Sequence, residues 1–125
     1  MTDFRLLVTG SRDWTDRERV LRAIEFRTLG IQLDDLVVVH GHCPTGADAI
    51  ADELAAGSGV RVERHPAFWA AWGQAAGPLR NQVMVDLGAD LCLAFITGTS
   101  RGTLDCVRRA EAAGIPVIRY FEAQS

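Results

Sequence analysis

Most of the residues in this chain that could do chemistry fall into four short clusters. The first is Thr9-Gly10-Ser11-Arg12-Asp13, and the second runs from His40 and Gly41 through His42 and Cys43 to Thr45 and Gly46. His65-Pro66 is the third, and Thr97 to Thr103, which reads Thr-Gly-Thr-Ser-Arg-Gly-Thr, is the fourth. Glycine, serine and threonine in such runs let backbone N–H groups come close to an oxyanion, and arginine can grip a phosphate with two parallel hydrogen bonds. The residue types therefore point to a phosphate- or nucleotide-binding site. Its candidate ligands to phosphate and sugar are Gly10, Ser11, Arg12, Gly41, Gly46, Arg80, Asn81, Gly98, Thr99, Ser100, Arg101, Gly102 and Thr103.

Several of these residues allow a second reading. Arg12 either grips phosphate or pairs with Asp13 or Asp16. Arg80 lies near a helix start, where a cation is mildly disfavoured by the helix dipole, so it either holds a ligand or bridges to an acid such as Asp48. Asp48 could bind a ribose hydroxyl or act as a general base, and it is the one candidate catalytic residue; otherwise it serves the dipole of its own helix. Trp69 and Trp72, three residues apart, could stack on a base, because every base has a π face, or pack a sheet edge or a subunit interface, and Trp69 is the candidate platform. His40, His42 and Cys43 match no standard metal spacing, and no metal or cofactor is expected. The roles of His40, His42, His65 and Trp72 stay open.

Composition removes other classes. All thirteen cations are arginine and no lysine is present, which excludes a Walker A lysine, a Schiff base and a lysine general base. The formal charge of −3 argues against bulk nucleic acid as partner. Three scattered cysteines make no disulfide framework and no C-x-x-C. No apolar run reaches the roughly 18 residues of a membrane span, and the first apolar run is too short for a signal peptide. A cytoplasmic protein with no membrane partner is expected, and its 125 residues are expected to form one domain over 1–125.

The elements that must position the clusters follow from periodicity. Phe4–Thr9, Leu36–His40, Val60–Arg64, Leu91–Ile96 and Ile115–Tyr120 read as buried strands. Val20, Leu21 and Ile24 mark one helix, Ala47, Ile50, Ala51 and Leu54 a second, and Leu104, Val107 and Ala110 the last. Thr15 with Glu18 reads as a capping box, Thr45 as the cap of the second helix, and Gly114 as the stop of the last. Pro78 suits the first turn of a helix through Arg80 to Val85, and Pro116 suits an edge strand. Residues 65–88, rich in glycine and tryptophan, read as a loop, a short turn near Trp69 and then that helix. Alternating strands and helices make βαβ units, so the clusters share the carboxyl edge of a parallel sheet, where such folds bind ligands.

These residues also carry a family resemblance. Thr9-Gly-Ser-Arg-Asp13, His40-Gly41 with Gly46-Ala-Asp48, His65-Pro66 with Trp69, Ala76-Gly-Pro-Leu-Arg-Asn81 and Gly98-Thr-Ser-Arg-Gly-Thr103 occur in order along nearly the whole chain. In this the sequence resembles the YspA-type branch of the SLOG superfamily, named for the SMF/DprA and LOG proteins. The resemblance implies a Rossmann-like three-layer α/β domain with a five-stranded parallel sheet in the order 3-2-1-4-5. It also implies a nucleotide-type ligand across strands one and four, and a homodimer. The LOG relatives hydrolyse the N-glycosidic bond of nucleoside monophosphates with a glutamate from a P-G-G-x-G-T-x-x-E loop. Here Cys106 stands at that glutamate's position and Asp105 one residue before it, about 100° away on a helix. The expected function is therefore binding of a nucleotide or nucleotide derivative, to sense or sequester it. The alternatives are a phosphoribohydrolase-like N-glycosidase acting on nucleotides or NAD-like compounds, and a DNA-processing accessory of the DprA type.

Overall fold

The structure is a computed structural model that describes residues 3–98 and 100–122. Its strands are β1 (Phe4–Gly10), β2 (Leu36–His40), β3 (Arg61–Arg64), β4 (Leu91–Ile96) and β5 (Val117–Phe121). Its helices are α1 (Arg17–Arg27), α2 (Gly46–Gly57), α3 (Trp69–Trp72), α4 (Ala76–Leu87) and α5 (Arg101–Ala112). Short 3-10 turns precede β2 at Leu33–Asp35 and α4 at Gly73–Ala75. The five strands form one sheet in the order β3-β2-β1-β4-β5, with every neighbouring pair parallel. The expected α/β architecture and strand order are both present.

Successive residues of a strand face opposite ways, and the core divides accordingly. Leu6 and Val8 of β1 join Val38, Leu93 and Phe95 beneath α1 and α2, with Val20, Ala47 and Ala51 packed on them. Leu7 turns to the other face with Val39 and Cys92, where Met84 and Val85 of α4 and Cys106 and Ala110 of α5 cover it. Helices on both faces give three layers. Trp14, just before α1, is fully buried. Its ring meets Phe95 edge-on at 5.3 Å between centroids, and its indole N–H donates to the carbonyl of Asp16 at 2.9 Å.

Three local expectations are corrected. Thr15 and Glu18 form no capping box. Asp16 is the N-cap of α1 and accepts from the backbone N–H of Arg19 at 3.0 Å. Glu122 accounts for the change: its carboxylate accepts from the Thr15 hydroxyl and from the backbone N–H groups of Thr15 and Asp16, and Glu18 turns to Arg22. Thr45 occupies the N-cap position of α2, but its side chain makes no capping hydrogen bond. Leu104, read as part of the apolar stripe of α5, is 42% exposed, so Cys106, Val107 and Ala110 carry that stripe. Pro116 sits just before the edge strand β5, its carbonyl accepting from Cys92, and Gly114, at φ 80°, follows the end of α5. Residues 65–88 form a turn of helix, a 3-10 turn and α4, with Pro78 in the first turn.

Candidate functional site

The order β3-β2-β1-β4-β5 reverses direction at β1, and a cleft of about 690 Å³ opens there at the carboxyl ends of the strands. That volume lies within the roughly 300–1,000 Å³ usual for small-molecule sites. Its walls are the β1 loop, the β2 loop with the start of α2, the α3–α4 segment, and the β4 loop with the start of α5. Gly10, Ser11, Arg12, Gly41, Asp48, Trp69, Arg80, Asn81, Gly98, Ser100, Arg101, Gly102 and Thr103 all line it. Gly46 is not among the lining residues, and Thr99 lies outside the described residues.

The glycines have separate reasons to be glycine. Gly46, at φ 75°, lies so close to the β1 loop that a Cβ would enter the carbonyl of Ser11 and meet the backbone of Arg12 at 2.7 Å. This lets the start of α2 dock under the loop, where Ala47 donates to Ser11. Gly41 leaves room for Arg80, whose guanidinium carbon lies 2.8 Å from where a Cβ would stand. Gly77 lets the Trp69 ring approach α4, with the nearest ring carbon 3.2 Å from such a Cβ.

Those contacts assign work to several side chains. Ser11 is buried and ties the two central loops: its Oγ accepts from the N–H of Thr97 at 2.9 Å, and its own N–H donates to Phe95. Asp13 accepts from the Thr97 hydroxyl across the same gap. Arg80 does not bridge to Asp48. Its Nη1 donates to the carbonyls of Gly41 and His65, and its Nε donates to Asn81 at 2.9 Å. Asn81 in turn donates to the Gly102 carbonyl at 3.2 Å and to Asp105 at 3.0 Å. Arg80 and Asn81 are thus a strut from the β2 loop to the first turn of α5.

Asp105, one residue before the position of the LOG glutamate, also lines the cleft. Burial works against its charge, but the hydrogen bonds from Arg109 and Asn81 prevail and hold its carboxyl below the usual range. The anion-attracting end of the cleft is α5. Ser100 caps the helix only by position, because its Oγ meets the Thr103 hydroxyl at 2.7 Å instead of a backbone N–H. The first amides of the helix are therefore free of any side-chain cap. Arg12 and Arg101 have no carboxylate within ion-pair distance among the described residues, so Arg12 is not paired with Asp13 or Asp16. The Arg12 guanidinium stands 5.7 Å from the Trp69 ring centre, a cation–π distance.

Asp48 lines the cleft from the first turn of α2. It is 5% exposed, and its Oδ2 accepts only a long bond of 3.4 Å from the Cys43 N–H. Its Oδ1 is buried and has no hydrogen-bond partner among the described residues. Burial raises its pKa, against the opposing pull of His40, Arg80 and the N–H groups of Cys43 and Gly41. The Cys43 thiol, on the same wall, is also pushed up by burial, with Asp48 adding to the effect.

His40 stands behind this wall. Its Nδ1 accepts from the His42 N–H at 2.9 Å, which leaves the proton on Nε2 to be donated to Asp52 at 2.7 Å. Burial lowers its pKa and keeps it neutral. Arg64 grips Asp52 with two bonds, at 2.6 and 3.0 Å, and with His40 brings the Asp52 carboxyl to about 2. Ligand atoms of His40, His42 and Asp52 lie within 4.8 Å of one another. The Nε2 proton and the Arg64 fork already occupy the Asp52 carboxylate, so the cluster acts as a brace for the β2 loop, on which His42 holds a left-handed φ of 59°. His65 is similarly bonded to Glu63 at 2.7 Å, beside Arg5.

Residues 4–72, more than half of the chain, match the YspA, cpYpsA-related SLOG family. The chain belongs to this family. As a SLOG protein it is 49% identical over 121 residues to the gene 61 protein of Mycobacterium phage D29, across 93% of this chain and 95% of that one. No solved structure matches this SLOG chain significantly. No helix among its described residues is long and apolar enough to cross a membrane.

Proposed function

We propose that the cleft binds a nucleotide or nucleotide derivative and that the protein senses or sequesters it. The phosphate would lie on the uncapped amides of α5, with Arg12 and Arg101 beside it and Thr103 and Gly102 beneath. Charge, dipole and free N–H groups then act on the same oxyanion. The base would lie against Trp69, and a ribose hydroxyl would meet Asp48. The observation that carries this reading is the buried Oδ1 of Asp48, without a partner among the described residues, in a cleft that the uncapped start of α5 also lines. A buried polar atom without a partner is costly, and a ligand hydroxyl would answer it. Family membership supports a nucleotide-related ligand.

The test is a thermal-shift panel of AMP, other monophosphates, ADP-ribose, NAD and cyclic nucleotides. A true ligand at 100 times its Kd should stabilise by about 2.7 kcal/mol, a rise of several degrees. If no compound in the panel raises the melting temperature, the reading falls.

A second reading is an N-glycosidase, favoured by the upward shift of the Asp48 carboxyl. In that case water would add at the ribose anomeric carbon as the carbon–nitrogen bond breaks, the Asp48 proton would pass to the departing base, and the proton lost by the water would return to the Asp48 carboxylate. Asp48→Asn separates the two. Under the binding reading it loses most of the ligand-induced shift. Under the hydrolase reading it keeps the shift and loses turnover, followed by chromatography of the released base.

A further inference from the structure

We propose that His40 positions the β2 wall of the cleft as a latch, and that a proton on its Nδ1 releases that wall. The loop after β2 leaves the strand at Gly41 and enters α2 at Gly46. Three hydrogen bonds tie it down. The Gly41 carbonyl accepts from Arg80, the Cys43 N–H donates to Asp48 at 3.4 Å, and the His42 N–H donates to Nδ1 of His40 at 2.9 Å. Gly41, Cys43, Asp48 and Arg80 all line the cleft. His42 stands between Gly41 and Cys43, so its bond sets the place of both neighbours.

His42 also depends on that bond more than an ordinary residue would. It is the one non-glycine residue with a positive φ, 59°, among the described residues. A side chain larger than glycine holds the left-handed region only where its surroundings impose it.

The chemistry of the ring gives the latch two states. A neutral imidazole has one donor nitrogen and one acceptor nitrogen. Asp52 takes the Nε2 proton at 2.7 Å, which leaves Nδ1 as the acceptor for His42. In the imidazolium both nitrogens donate, so the His42 N–H would face a second N–H across the same gap. The bond to Asp52 strengthens on charging, while the bond to His42 is lost. The ring stays with α2, and the loop gives way.

The ring is 1% exposed, and the groups around it set when this happens. Burial opposes the proton most, Asp48 and Asp52 of α2 favour it, and the His42 ring, stacked at 6.1 Å between centroids, opposes it. Arg64 of β3 shares Asp52 with His40. Arg80 of α4 and Arg12 of the β1 loop act on Gly41 and Cys43 of the same loop, and as cations they resist a further positive charge there. Burial prevails, so the latch is closed at neutral pH and opens in acid, below the ordinary histidine range.

Amide hydrogen exchange of the full chain, followed by NMR from pH 7.5 to 4.5, is the test. The cleft stays empty throughout, so the outcome is independent of which compound it binds. After correction for intrinsic exchange, the His42 amide should lose about tenfold of its protection, the effect of one broken hydrogen bond, in step with titration of the His40 ring. His40→Asn keeps a side-chain oxygen to accept from His42 and takes up no proton, so its protection should be the same across the range. Asp48→Asn removes a carboxylate that favours the imidazolium. Its loss of protection should still follow the His40 ring, at lower pH. A His42 amide that stays protected while the His40 ring titrates, or until the whole chain unfolds, overturns the proposal. So does a loss that persists in His40→Asn, or one that no longer follows the ring in Asp48→Asn.

Discussion

Asp48 costs the empty protein stability. Its carboxyl is buried, its Oδ1 has no partner among the described residues, and burial holds its pKa up. The folded state therefore binds the Asp48 proton more tightly than the unfolded chain does. Whatever stability that proton brings is present at low pH and lost as pH rises through the raised pKa. An asparagine in its place would fill the same space without the charge. Asp48→Asn should raise the melting temperature of the ligand-free protein at pH 8, by about 1–2 kcal/mol or several degrees. The gap between the two proteins should shrink toward pH 4. A variant that melts lower at pH 8 would show that Asp48 is a structural residue. The sequence marked Asp48, Arg12 and Trp69 correctly as residues of one edge. It did not show the contact of Asp105 with Asn81, which exists because α4 packs alongside α5.

At the scale of elements, β2 and β4 were legible residue for residue, since unbroken β-branched and aliphatic runs have few alternatives in a parallel sheet. The start of α1 was not. Its anchor, Glu122, is 107 residues from Thr15, and no local pattern carries that contact. Likewise, the strut from Gly41 through Arg80 and Asn81 to Gly102 joins three elements that only the folded sheet brings together. Gly46 was legible as a special residue, but its reason is the carbonyl of Ser11, which local sequence does not show. The Glu122 clasp gives an element-scale prediction. Glu122→Ala frees the N–H groups of Thr15 and Asp16 and should lower stability by about 1 kcal/mol, read by chemical denaturation. Because the cleft lies at α5 and α2, its ligand-induced thermal shift should be unchanged. A lost shift would mean that the clasp also shapes the β1 loop.

Over the whole molecule the ionic groups favour neutral pH. Arg64 first, then His40, holds Asp52 at about 2, and Arg5 first, then His65, does the same for Glu63. Both carboxylates bind protons less readily folded than unfolded. Their contribution is full above the usual carboxylate range and is lost as pH falls from about 4 toward 2. His40, held neutral by burial, acts in the same sense at higher pH, because the unfolded histidine charges below about 6.5. Melting temperature should thus decline gently below pH 6.5 and steeply below pH 4, with Asp48 opposing the trend. A flat profile from pH 7 to 3 would contradict this account.

The three tryptophans stand in three different places. Trp14 is sealed in the core against Phe95, Trp69 lies on the cleft wall beside Arg12, and Trp72, at the end of α3, is largely exposed. The protein consequently carries its own optical probes. Emission from a chain retaining Trp14 alone should stay blue until unfolding and report only the core. One retaining Trp69 should respond to whatever enters the cleft, and one retaining Trp72, exposed to water, should emit further to the red. Unfolding of the core and changes at the cleft wall can be followed separately in one molecule by its native light.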